Sequence, residues 1–214
     1  RMGRTVSSLV GNRRRPRITM KIWCCGITST ETEKIADLIE STKEYFDGYV
    51  WCVDSNSNSD ETFNLLNKNK KEGKIVRHHW NNAHDFQANE YLHCGVIKNG
   101  DWIWISDSTE KPSQFILENL RNNINTYSEL GIGAIYCSGR PYLVKFYDHQ
   151  FVFLTPHWSY NGVVGKIGTI PEDKKHLYIE NKRELDKTKH YCLHNTKYLF
   201  CYGRSNQTQL AYGK

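Results

Sequence analysis

The apolar positions of this chain fall into short continuous runs separated by stretches where they recur once per helical turn. Residues 21–26 read as a buried strand, apolar and stopped by glycine. Thr30 and Glu33 have capping-box spacing, ahead of Ile35, Leu38, Ile39, Thr42 and Phe46 at helical intervals, with Gly48 as the stop. Residues 49–53 predict a second strand closing on Asp54, residues 60–69 a short helix with a solvated lysine-rich end, and residues 75–79 a third strand. Ala88, Tyr91, Leu92, Gly95 and Val96 predict a helix face ending at Asn99-Gly100. Residues 102–106 are a fourth strand, strongly apolar and closing on Asp107. Ile116, Leu120, Ile124 and Tyr127 then step by one turn, before a fifth strand over residues 134–138.

This order, βαβαβαβαβ, predicts an α/β domain: a Rossmann-like, mixed but mainly parallel sheet flanked by helices. After Gly139 the pattern changes. Residues 142–146 and 150–154 predict a hairpin, Gly162, Gly165 and Gly168 a loop, and residues 181–193 a charged outer helix. The expectation is one domain over residues 20–214, its first half to residue 140 built to bind a nucleotide, and its second half from residue 141 shaping a further pocket.

Charge changes the picture at one end only. Arg1, Arg4, Arg13, Arg14, Arg15 and Arg17 are six cations with no acid among the first 17 residues. Taking those six from the 29 Lys and Arg leaves 23, equal to the 23 Asp and Glu, so the net +6 resides in the arm. Residues 1–19 are therefore expected to be a basic extension, flexible or added ahead of a natural start at Met20, with a nucleic-acid or lipid contact as the alternative. A neutral body argues against nucleic acid as its partner. No run of about 18 apolar residues predicts a membrane span. Seven cysteines, odd in number and without a CxxC pair, favour reduced thiols and a cytoplasmic setting over a disulfide framework or zinc site.

Two strands ending at aspartate, Asp54 and Asp107, carry the first chemical signal. In open α/β sheets ligands bind outside the carboxyl ends of the strands. A carboxylate there accepts from base N–H groups or ribose hydroxyls, or holds a divalent ion against a diphosphate. A strand-end aspartate also caps the next turn, so each has a structural reading beside the functional one.

At this point the sequence resembles the nucleotide-sugar-dependent glycosyltransferases of the GT-A fold, family 2 in particular. The matching stretches are residues 26–32, running into the first helix; Cys52-Val53-Asp54 with Ser59-Asp60-Glu61-Thr62; and Asp85-Phe86-Gln87-Ala88-Asn89, which keeps an Asn and lacks the family's Arg. The best match is Gly100-Asp101-Trp102-Ile103-Trp104-Ile105-Ser106-Asp107-Ser108-Thr109-Glu110, against a Gly-Asp-Trp-hydrophobic-Asp-x-Asp-Glu pattern. The resemblance covers residues 20–140 and implies an inverting transfer from a UDP- or GDP-sugar to a carbohydrate or glycoconjugate hydroxyl.

It further implies that Thr28, Ser29, Thr30, Asp54, Asn89 and Asp107 meet the nucleotide, and that Asp107, Thr109 and Glu110 hold Mn²⁺ or Mg²⁺. Thr109 stands where the family has the second aspartate, so one hard anionic ligand is lost. The base that takes the acceptor proton is expected among Asp148, Glu172, Asp173 and Glu180, with Glu172-Asp173 after the glycine loop best placed, although Pro171-Glu172-Asp173 is also an ordinary helix start. His157, Trp158 and Tyr160 are acceptor-site candidates by their stacking and hydrogen-bonding chemistry, and equally an aromatic cluster. Two alternatives stay open. One is a decayed module that binds carbohydrate or nucleotide without transfer. The other is a sugar nucleotidyltransferase, although residues 26–31 lack the glycine-rich basic loop that such enzymes use.

Overall fold

A computed structural model of the chain describes residues 20–55, 58–80, 84–137, 140–148, 152–154, 159–181 and 200–202. Its first half alternates as the apolar pattern requires: β1 (Ile22–Thr28), α1 (Thr32–Thr42), β2 (Gly48–Asp54), α2 (Asp60–Asn69), β3 (Lys74–His78), α3 (His84–Leu92) and β4 (Trp102–Ser106). Then follow β5 (Glu110–Pro112), α4 (Gln114–Glu129), β6 (Ile132–Cys137), β7 (Arg140–Lys145), β8 (Val152–Leu154), β9 (Ser159–Asn161) and β10 (Lys166–Ile170). A 3₁₀ turn (Glu172–Leu177), β11 (Ile179–Asn181) and β12 (Phe200–Tyr202) complete the described elements.

One mixed sheet of eight strands, in the order β12-β10-β6-β7-β4-β1-β2-β3, carries the fold. The expected α/β class with a mainly parallel sheet flanked by helices is what the chain adopts, in a Rossmann-like arrangement. Strand side chains alternate between two cores. Ile22, Cys24, Tyr49, Trp51, Val53, Trp102 and Trp104 pack on one face with α1, α2 and α4. Trp23, Cys25, Val50, Cys52, Ile103 and Ile105 pack on the other with Ala88, Tyr91 and Leu92 of α3. Burial on both faces is why these strands read as continuous apolar runs rather than alternating ones. It also fixes the role of the thiols: Cys24, Cys25 and Cys52 are free and buried, and desolvation pushes the Cys52 thiol up to about 12. They are core side chains.

Several expectations need correction, among them Gly168, expected in a loop but placed in β10 beside Ile135. Thr30 and Glu33 form no capping box: α1 starts at Thr32, and the Glu31 carboxylate instead turns back to accept from Thr28 Oγ1 at 2.7 Å and Ser29 N–H at 2.8 Å. Gly48 opens β2 rather than ending α1, because β2 starts against the turn after α2; a Cβ there would sit 2.7 Å from Gly73 N and Lys70 O. α3 stops at Leu92, short of Gly95 and Val96.

The largest change is in the second half. Residues 142–146 do not pair with 150–154. β7 runs antiparallel between β4 and β6, with Leu143 facing both Trp104 and Ile135, while β8 pairs with β9. Tyr142, Leu143 and Val144 are buried, and only an interior position covers both of their faces. Residues 182–193 of the expected outer helix, and residues 1–19, lie outside the described residues; Asn181, its first position, is in β11. No helix among the described residues is long and apolar enough to cross a membrane.

Candidate active site at the carboxyl edge of the sheet

The strand order creates a crevice. From β1 the chain steps outward to β2 and β3, all parallel, then returns past β1 to place β4 on its other side. Connections therefore leave β1 and β4 in opposite directions, and the gap outside their carboxyl ends is the topological switch point where open α/β sheets bind ligands. β1 and β4 meet tightly beneath it: a Cβ on Gly26 would lie 2.6 Å from Ser106 O and 2.7 Å from the Trp51 ring.

Around this gap the sequence candidates separate into groups. Thr28 closes β1 and is buried, its hydroxyl donating to Glu31; Ser29 is half-buried and Thr30 exposed. Burial acts to raise the Glu31 carboxyl, but hydrogen bonds from Ser29 N–H, Thr28 and its own backbone, with nearby Lys34, hold it below its usual range. Asp54 closes β2 opposite His78, and its Oδ1 accepts the backbone N–H of Trp80 at 2.9 Å. It thus ties the end of β3 to the end of β2. Asn89 is half-buried in the second half of α3, its carbonyl accepting from His93 N–H.

Asp107 heads a tight turn that folds back on itself. Its Oδ1 accepts from Thr109 N–H at 3.0 Å and Thr109 Oγ1 at 3.1 Å, and Glu110 N–H donates to its carbonyl at 3.2 Å. Ser106 Oγ donates to the Glu110 carbonyl at 2.8 Å, closing the turn from the strand side. Among the described residues nothing donates to Asp107 Oδ2. Glu110 begins β5, which pairs antiparallel with β11, Asn181 opposite Glu110 and Glu180 opposite Lys111. Its side chain is held by a residue that the sequence reading missed. Arg140 Nη1 donates to Glu110 Oε2 at 2.7 Å, with the two side chains 15% and 14% exposed. The signal was present: an arginine directly ahead of the apolar run from Pro141 to Val144, where a strand would bury it.

Among the described residues no group of three or more His, Cys, Asp and Glu side chains gathers as a metal site. The donors that are present nonetheless suit a hard divalent cation. Asp107 Oδ2 and Glu110 Oε1 are carboxylate oxygens to which no described residue donates, and the Thr109 hydroxyl, donating to Asp107, keeps its lone pairs. A magnesium-type site of this kind takes one or two carboxylates and leaves its other positions to water and phosphate.

The second-half candidates fare differently. Glu172 and Asp173 follow β10, whose carboxyl end points to the same edge, since β10 is parallel to β6. In the plane of the sheet they stand three strand spacings from β4, about 14 Å. The chain then returns toward the Asp107 turn, Ser113 N–H donating to the Tyr178 carbonyl at 2.8 Å. Asp173 is exposed and pairs with Lys174 at 3.3 Å. Asp148 is at the opposite edge, beside Asn99 and His93, a strand length of about 20 Å away. Tyr160 is the middle residue of β9, opposite Phe153 of β8, while His157 and Trp158 lie outside the described residues. No protein-family model and no curated protein matches the chain.

Proposed function

We propose that this chain is a glycosyltransferase that moves a sugar from a UDP- or GDP-sugar to a carbohydrate or glycoconjugate hydroxyl, with inversion. The observation that carries the reading is the switch-point crevice, with Asp54 closing β2 on one side and the Asp107 turn closing β4 on the other. β2 and β4 are two strand spacings apart, about 10 Å, a span suited to a nucleoside diphosphate laid along the edge. In this reading Asp54, Thr28, Ser29, Thr30 and Asn89 meet the nucleoside end, and Asp107, Thr109 and Glu110 receive the diphosphate end. A bound Mn²⁺ or Mg²⁺ supplies positive charge to the departing diphosphate.

Transfer forms a bond from the acceptor oxygen to the sugar C1 and breaks the bond from C1 to the diphosphate oxygen. The diphosphate leaves with that electron pair, and the acceptor proton passes to a carboxylate. Asp173 and Glu172, which follow β10 on the same edge of the sheet, are the proposed source of that base. His157, Trp158 and Tyr160 are the proposed acceptor contacts.

A second reading is favoured by the Asp107 turn itself. Thr109 occupies the position of an acid and spends its N–H and hydroxyl within the turn, as in a module that binds nucleotide or sugar without transfer. A panel of UDP- and GDP-sugars with Mn²⁺ separates the two. Consumption of one donor, reduced at least about a hundredfold by Asp107→Asn, supports transfer. Binding without consumption supports the module, and neither binding nor consumption rejects both.

A further inference from the structure

We propose that Arg140 is a positioning residue for the cation site, fixing the Glu110 carboxylate so that its second oxygen is presented beside Asp107. The inference rests on the reading of the crevice as a nucleotide-diphosphate site. Arg140 begins β7 opposite Cys137, so the antiparallel insertion of this strand delivers a guanidinium to the carboxyl edge, where the parallel strands end. The group lies over the Tyr142 ring, 5.1 Å from its centroid, which holds the plane of the fork.

From there it engages one oxygen of Glu110 and leaves the other to a different partner. The Glu110 backbone is held as firmly. Its N–H goes to the Asp107 carbonyl, its carbonyl accepts from Ser106 Oγ, and its strand pairs with β11. A carboxylate fixed at the main chain and at one oxygen has lost most of its rotamer freedom before any ion arrives. Partners of this kind, behind a ligand, set affinity as well as geometry.

Charge gives a second reason. Asp107, Thr109 and Glu110 alone would place two anions on one turn, with no second aspartate to complete a strong site. With Arg140 the cluster carries one net negative charge. A divalent ion then leaves it net positive, the sign that a diphosphate requires. Arg140 thus lets Glu110 serve as a ligand without leaving the bound complex over-anionic. It acts through Glu110.

The test is Mn²⁺ binding to the full chain, measured by electron paramagnetic resonance with and without UDP or GDP, with thermal melting alongside. Glu110→Gln is expected to weaken Mn²⁺ about tenfold or more. Arg140→Gln should do so in the presence of UDP or GDP, where the loss of positioning and of a positive charge beside the diphosphate outweighs the stronger attraction of a bare ion. The double variant should fall no further than the weaker-binding single one. Arg140→Lys, which keeps the charge but not the fork, should fall between wild type and Arg140→Gln, and it carries the test if the glutamine variant does not fold. Unchanged Mn²⁺ affinity in Arg140→Lys or Arg140→Gln in the presence of nucleotide, with only a lower melting temperature, would make the pair a structural tie and overturn the proposal. Nucleotide binding that ignores Mn²⁺ in wild type would overturn it too, while leaving the nucleotide-site reading standing. No nucleotide binding under any condition removes both.

Discussion

Asp101 and Asp107 stand at the two ends of one strand, and their surroundings differ in almost every respect. Asp101, before β4, is 6% exposed and fully engaged. Its Oδ1 accepts from Lys21 N–H at 3.1 Å, and its Oδ2 from Trp23 Nε1 at 2.8 Å and Lys98 N–H at 2.9 Å. Asp107, after β4, is half-buried, and its donors come from its own turn. The first aspartate fastens β1 and the α3–β4 connection to the strand. The second has little to fasten and keeps an oxygen that no described residue occupies. The same side chain ties elements together at the amino edge and keeps an oxygen clear of described donors at the carboxyl edge.

The contrast breaks most visibly on substitution. Asp101→Ala strands three donors, one of them the indole N–H of a buried tryptophan, and is expected to cost about 3 kcal/mol or more. Asp107→Ala should change stability by less than about 0.5 kcal/mol while abolishing donor turnover. Urea unfolding of the two variants checks this, and equal losses would erase the distinction between the edges. Gly26→Ala comes next. Its methyl has no room between Ser106 O and the Trp51 ring, so a loss of about 1–3 kcal/mol is expected, together with weaker nucleotide binding as the β1–β4 floor spreads.

A smaller effect belongs to Glu31. Its folded pKa is held down, so its contribution is present above the unfolded value, near the 4.5 of a free glutamate, and fades as pH falls through the lower folded value. Glu31→Gln should cost about 0.5–1 kcal/mol at neutral pH, allowing for solvent screening of a half-exposed group, and should flatten the stability profile below pH 4.5. Denaturation midpoints across pH 3–7, on the order of the carboxylate range, read this out. Smallest in stability is Thr109→Asp, at an exposed turn position. It should leave unfolding within about 0.5 kcal/mol of wild type and tighten Mn²⁺ severalfold, as seen by calorimetry.

How far the sequence foretold this depends on the scale of each signal. β4 and the helix faces of α1 and α4 were legible because apolar side chains repeat at helical spacing along each helix and one continuous apolar run fills both cores. The carboxyl-edge placement of Asp54 and Asp107 followed from that alternation alone. β7 was misread as half of a hairpin because neighbours in sequence usually pair, and nothing local says that residues 140–145 insert between β4 and β6. The three-residue ribbon of β5 and β11 is too short for any periodicity, although it brings residue 181 beside Glu110. The Glu31 contact and the Glu110–Arg140 pair were missed for related reasons. Two spacings, Thr30-Glu33 and Thr28-Glu31, fit one turn equally well, and while an arginine ahead of the apolar run from Pro141 signals a buried cation, nothing in a single sequence names a partner 30 positions away.

The central claim is that the crevice outside β1 and β4 binds a nucleoside diphosphate through Asp54 and the Asp107 turn. Isothermal calorimetry of UDP and GDP with Mn²⁺, into wild type, Asp54→Asn and Asp107→Asn, tests it most directly. The account predicts binding to wild type by one of the two nucleotides and at least a tenfold loss, about 1.4 kcal/mol, in each variant. Binding that is absent from wild type, or that survives both substitutions unchanged, would contradict it.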